Sequence, residues 1–324
     1  MALLSRRRGK AGAPRLVPEL DDEALADVRK LVSGPPRGAW QADNNVAAVE
    51  ELLREPGQDA DRRTHRLTTL AEHAGGTARR WRKTHPQNPD ALVLYAWSWL
   101  ATVRAGGEAG DAAYRDLDAA LEDCRQASLL RPEDGAAWIA ALGILREQRR
   151  PWPEIEPVWN ELRARDPWNR QAHLEMLGYL SPDECGSRTA ERDFVSSVSS
   201  TAPPDSPVAA LPLEAELRRY RRNLDAGGAA SVTADESWRQ PVMAEFLKQA
   251  QVNWTRPGFL VHAAVLADLN LLAYALVHTA NPPDATEVFR RIGGVVAPWP
   301  WNIDGDPVER FTLWHQKFAG EPQR

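Results

Sequence analysis

The side chains here that could do chemistry are seven histidines, two cysteines, one carboxylate inside an apolar run, and several tryptophans beside prolines. His65 and His73 fall about 80° apart on a helix, so they share a broad face. A metal would need a third ligand at a recognisable spacing, and none follows. His262 and His278 lie near the two ends of the run Phe259–Thr279 and, on one helix, point to nearly opposite sides. Asp268 sits inside that run. A buried carboxylate needs a partner or a raised pKa, and the reading is a structural bond to an arginine or a helix end. Asp304-Gly305-Asp306 could ligate a cation, but no further oxygens follow at calcium-loop spacing, so it reads as a turn. Cys124 and Cys185 are far apart and form no CxxC pair, as two free thiols of a reducing cytosol would be. The chain contains no Gly-x-Gly, no Gly-Lys-Ser/Thr, no Gly-x-Ser-x-Gly and no His-Glu-x-x-His. No catalytic residue, metal or cofactor is therefore assigned, and a non-enzyme is expected.

The thirteen tryptophans are the compositional oddity. Trp97, Trp99, Trp138 and Trp159 fall within helical patterns and read as core. Trp152, Trp168, Trp299 and Trp301 stand beside prolines, where they either plug helix junctions or form an aromatic binding surface. These four are kept as partner-binding candidates.

The chain has 324 residues and a formal charge of −5. Arg6, Arg7, Arg8, Lys10 and Arg15 sit in an acid-free N-terminal stretch, so the rest of the chain is acidic. Nucleic-acid binding through that stretch and the Arg79–Lys83 cluster is disfavoured on this account. Ser5-Arg6-Arg7-Arg8 is followed by no apolar segment, which excludes a twin-arginine signal. A basic disordered tail over 1–19 is expected. Arginine far outnumbers lysine, a bias common in GC-rich bacteria.

These residues must be positioned by helices, because hardly any segment alternates like a strand. Three junctions organise the middle of the chain: Asn88-Pro89-Asp90-Ala91, Arg131-Pro132-Glu133-Asp134 and Asp166-Pro167-Trp168-Asn169. A ring follows each proline at the same distance: Tyr95, Trp138 and His173. Asp90–Arg104 is apolar nearly all round, as a helix buried between neighbours is. Residues 196–212 are rich in Ser, Ala and Pro and read as a linker. Phe259–Thr279 is nearly long enough to cross a membrane, but Asp268 and Asn270 at its middle favour a buried central helix.

The spacing of Ala120, Cys124, Ala127 and Pro132 resembles the second-helix half of a tetratricopeptide repeat, with Tyr95 and Trp138 at the aromatic position of the first helix. The resemblance covers roughly residues 88–180 and implies paired antiparallel helices. His173–Leu180, Ser181-Pro182, Gly186-Ser187 and Phe194 also resemble an uncharacterised bacterial family of repeat-like helical proteins, which implies no known activity. Some tetratricopeptide proteins clamp a partner's terminal carboxylate. Those positions fall here on Val93, Ala96, Trp97, Leu100, Ala136, Ile139, Ala140 and Gly143, none of them cationic or an amide. The inner face is therefore apolar, with Arg104 and Arg146 at its rim. It would take an apolar or acidic peptide, or the C-terminal half of its own chain.

The expected architecture is all-α: an irregular, tetratricopeptide-like helical-hairpin solenoid with an appended C-terminal helical half. Its parts are a tail over 1–19, the repeat-like region over 20–195, the linker over 196–212 and a C-terminal region over 213–320 packed on the first. The expected function is protein or peptide binding by a cytoplasmic scaffold with no membrane contact. Arg104, Arg146, Trp152, Trp168, Trp299 and Trp301 are the candidate contacts. The alternative is an enzyme or small-molecule binder whose pocket lies between the halves and uses Asp268, His262 and an arginine.

Overall fold

The computed structural model describes residues 13–55, 57, 59–106, 111–279 and 284–319. The first twelve residues of the basic tail and most of the Gly106–Gly110 turn lie outside that range. Among the described residues there are seventeen α-helices and two strands of two residues each, so the chain is all-α. It divides into two units, Asp21–Pro212 and a second made of residues 1–20 and 213–324.

The first unit runs α1 (Glu23–Val32), α2 (Ala39–Arg54), α3 (Ala60–Ala71), α4 (Gly75–Thr84), α5 (Pro89–Arg104), α6 (Asp111–Leu130), α7 (Ala136–Glu147), α8 (Trp152–Arg165), α9 (Arg170–Tyr179) and α10 (Arg188–Thr201). The junctions start helices for a local reason. Asn88 caps α5 by accepting from the Asp90 and Ala91 amides at 2.9 and 3.2 Å, with Pro89 in the first turn where its missing N–H costs nothing. Asn169 caps α9 in the same way, accepting from the Ala172 amide. Helix α6 packs on both α5 and α7, and α7 on α8 and α9, while α5 also touches α7 directly.

The inner positions Val93, Ala96, Trp97, Leu100, Ala136, Ile139 and Ala140 are all buried. Part of what lies on this row comes from the N-terminal side of the same unit: α3 packs against α5, α7 and α9. Asp59 caps α3, and Leu67 and Leu70 join the same core as the α5 and α7 side chains. Two buried arginines fix it. Arg63 Nε donates to Asp134 at 3.0 Å, its Nη1 to the Leu53 carbonyl, and its Nη2 to Asp90. Arg66 forks onto Asp22 at 2.7 and 3.0 Å and reaches the Leu52 carbonyl and Glu55. Arg131 adds a second cation to Asp90 at 2.6 Å. Burial alone would raise the Asp90 carboxyl, but Arg63 and Arg131 hold it below the usual range.

The second unit contains β1 (Arg15–Leu16), α11 (Leu211–Ala226), α12 (Gly228–Val232), a 3-10 turn over Ala234–Arg239, α13 (Pro241–Trp254), α14 (Val265–Val277), α15 (Thr286–Ile292), β2 (Val295–Val296), α16 (Pro298–Trp301) and α17 (Pro307–Ala319). Three sequence expectations change here. Residues 13–19 of the expected tail are ordered, because Arg15–Leu16 pairs in parallel with Val295–Val296. Residues 196–201 of the expected linker complete α10, and the boundary between units falls only at Pro212. The run Phe259–Thr279 is broken: residues 259–264 are turns and α14 begins at Val265. Among the described residues no helix is long and apolar enough to cross a membrane.

Asn270, fully buried on α14, uses its whole amide. Nδ2 donates to the Leu266 and Val295 carbonyls, and Oδ1 accepts from Trp301 Nε1 at 2.9 Å and from the Ala297 amide at 3.4 Å. One side chain thus ties β2 and α16 to the central helix. Asn270→Leu keeps the volume but orphans buried donors and an acceptor. The expected cost is about 2 kcal/mol in the second unit, read by urea unfolding. A change below about 0.5 kcal/mol would show that the amide is dispensable.

Candidate functional site

Arg104 ends α5 and Arg146 lies in the last turn of α7, and both converge on Glu175 of α9. Arg104 forks onto it at 3.0 and 2.7 Å, and Arg146 Nη1 reaches it at 2.8 Å. Glu175 is 1 % exposed. Arg104 also meets Glu147, and Arg146 Nε donates to Glu184 at 2.7 Å. Burial alone would push the Glu175 carboxyl up, yet the two guanidiniums hold it at about 2. Two glycines leave room for this node. A Cβ on Gly178 would lie about 2.0 Å from the Arg146 guanidinium carbon, and one on Gly143 about 2.7 Å from Leu100 Cδ2. The arginines named as rim contacts are therefore satisfied by the chain's own carboxylates, and the arrangement clamps three helices together.

The tryptophan candidates separate by burial. Trp301 is 1 % exposed and bonded to Asn270, so it is a core plug. Trp299 is half-buried with its Nε1 on Glu214 at 2.9 Å. Trp168 is half-buried and stacks on His173, which in turn stacks on Phe194. Trp152, at 42 %, remains exposed beside Tyr179. Trp40, which opens α2 and carries no sequence signal beyond its type, is 78 % exposed.

In the second unit His262 Nε2 lies 3.3 Å from Asp268 Oδ2, with both side chains almost wholly buried. The structure thus joins two residues of the alternative reading, with a histidine where an arginine or helix end was expected. His278 Nε2 lies 3.1 Å from Asp304 Oδ2, which also accepts from Tyr274 OH at 2.8 Å. Burial comes first and the adjacent Asp304 second in pushing the Tyr274 hydroxyl far up, so it stays protonated. Among the described residues no group of three or more His, Cys, Asp or Glu is placed to hold a metal. Cys124 is buried and free, and burial pushes its thiol well up. Cys185 is exposed and free.

A groove of about 240 Å³ lies between α6 and α8 over α7. Its floor is Ala137, Trp138, Ala141 and Leu145; Leu121, Cys124, Arg125 and Ser128 form one wall, and Glu154, Pro157 and Val158 the other. The small residues Ala137 and Ala141 leave the space, and the lining is apolar with one cation and one anion. Sequence reading missed it because it looked to the inner helix row. The alanines at 137 and 141, one turn apart on α7, were the available signal.

No family model, curated protein or solved structure matches this chain.

Proposed function

We propose that this chain is a non-enzymatic, tetratricopeptide-like helical scaffold that binds another protein or peptide. The groove between α6 and α8 carries the reading: an apolar slot with a polar rim suits a side chain presented by a polypeptide. The packing of α5 on α6, α6 on α7 and α7 on α8, with α5 also on α7 and α7 on α9, supports the repeat-like architecture. The chain's own α3 lies on the inner helix row, which moves the docking surface to the outer groove. The alternative, an enzyme or small-molecule binder that uses Asp268, His262 and an arginine, is the less favoured reading because the His262–Asp268 pair is almost wholly buried.

A photo-crosslinking amino acid at Ser128, on the groove wall, tests the reading against the same probe at the exposed Arg192 of α10. The expected result, in cells that express the protein, is a discrete crosslinked polypeptide from position 128 and none from 192. Equal or absent crosslinking at both positions would remove the groove as a docking site.

A further inference from the structure

Resting on the reading of the α6–α8 groove as a docking surface, we propose that its partner is a polypeptide presenting a lysine or arginine, with the aliphatic stem in the slot and the charged head on Glu154 of α8. The slot holds about 240 Å³. That is smaller than the roughly 300–1,000 Å³ of a small-molecule pocket, so it takes one side chain. Leu121, Ala137, Ala141, Leu145, Pro157 and Val158 give that side chain an apolar bed. Lysine and arginine have the matching form: a methylene stem that packs on apolar surface and a head that stays at the wet rim.

Charge selects this occupant. The groove is lined by one cation, Arg125, and one anion, Glu154. The cation is already matched, because Arg125 Nη1 meets Glu122 of its own helix at 3.1 Å. Two neighbouring arginines are matched as well. Arg150 is held by Asp118 at 3.1 Å and by Gln148. Arg165, which lies over the Trp138 ring, donates to the Pro132 carbonyl and to Glu161. Glu154 differs. Among the described residues no hydrogen bond reaches its carboxylate, and the one cation within 4 Å is Arg150 at 3.9 Å. It stands in the first turn of α8 with its side chain 47 % exposed, open to an incoming donor. An apolar side chain closing the slot would strip water from this carboxylate and return no hydrogen bond. An acidic one would add like-charge repulsion. A cationic head replaces the lost water with a charge-assisted hydrogen bond.

The full chain with the photo-crosslinking residue at Ser128 tests this against a phage-displayed library of random heptapeptides, the same probe at Arg192 giving the background. The expected result is lysine and arginine enriched about fivefold at one position of the crosslinked peptides, the size of a half-exposed ion pair. Glu154→Lys moves the enrichment to aspartate and glutamate. Glu154→Gln, which keeps the shape of the wall, abolishes the charge preference. Lysine and arginine enrichment that survives both substitutions, or a preference of the unaltered chain for uncharged or acidic side chains, overturns the proposal and leaves the docking reading standing. Crosslinking no stronger from position 128 than from 192 removes both.

Discussion

Arg63→Ala is expected to lower the stability of the Asp21–Pro212 unit by about 3–5 kcal/mol. The size follows from what the guanidinium leaves behind. Asp90 and Asp134 are both mostly buried and lose a shared cation, and the Leu53 carbonyl loses its donor. Arg131 still reaches Asp90, which keeps the loss below that of a fully abandoned charge. Arg63→Lys recovers only part of it, because a single ammonium cannot serve three acceptors held by a planar fork. Native-state hydrogen exchange of the α5 and α7 amides reads this unit separately from the other, as a two-unit protein requires. A loss below about 1 kcal/mol would mean that α3 is held by its leucines alone.

Glu175→Gln is expected to cost about 3 kcal/mol at pH 7, with a distinctive dependence on acid. The folded carboxyl titrates at about 2, below its ordinary 4.5. Such a group contributes its full stabilisation above pH 4.5 and loses it as pH falls towards 2. The glutamine variant lacks this component, so its unfolding free energy approaches that of the wild type as the solution is acidified. Urea unfolding at pH 7 and at about pH 3 measures the convergence. Two curves that stay parallel would show that Glu175 does not carry the interaction.

What the sequence reveals and what it hides follow the range of the forces. Caps and prolines act within one helical turn, so Asn88-Pro89 and Asp166-Pro167-Trp168-Asn169 announce the starts of α5 and α9. The all-α class follows from the same local patterns. The fate of Arg104 and Arg146 does not, because their shared Glu175 comes from a different helix. Trp152 and Trp301 look alike in sequence, each beside a proline. One is exposed and the other buried because Asn270 of α14 accepts the Trp301 indole. The pattern of α3 marks Leu67 and Leu70 as apolar without saying that they meet the inner helix row. A strand of two residues such as β1 is too short to show alternation at all.

The pairing of Arg15–Leu16 with Val295–Val296 joins residues far apart in sequence and leaves the Asp21–Pro212 unit as an insert in the sequence of the other. During synthesis the first strand is made long before its partner exists. While the insert is unfolded, bringing the two strands together closes a loop that contains all of it, with the corresponding entropy loss. Once the insert folds, its ends are fixed and the effective loop shortens. The connectivity therefore favours an order in which the insert folds before the two strands pair.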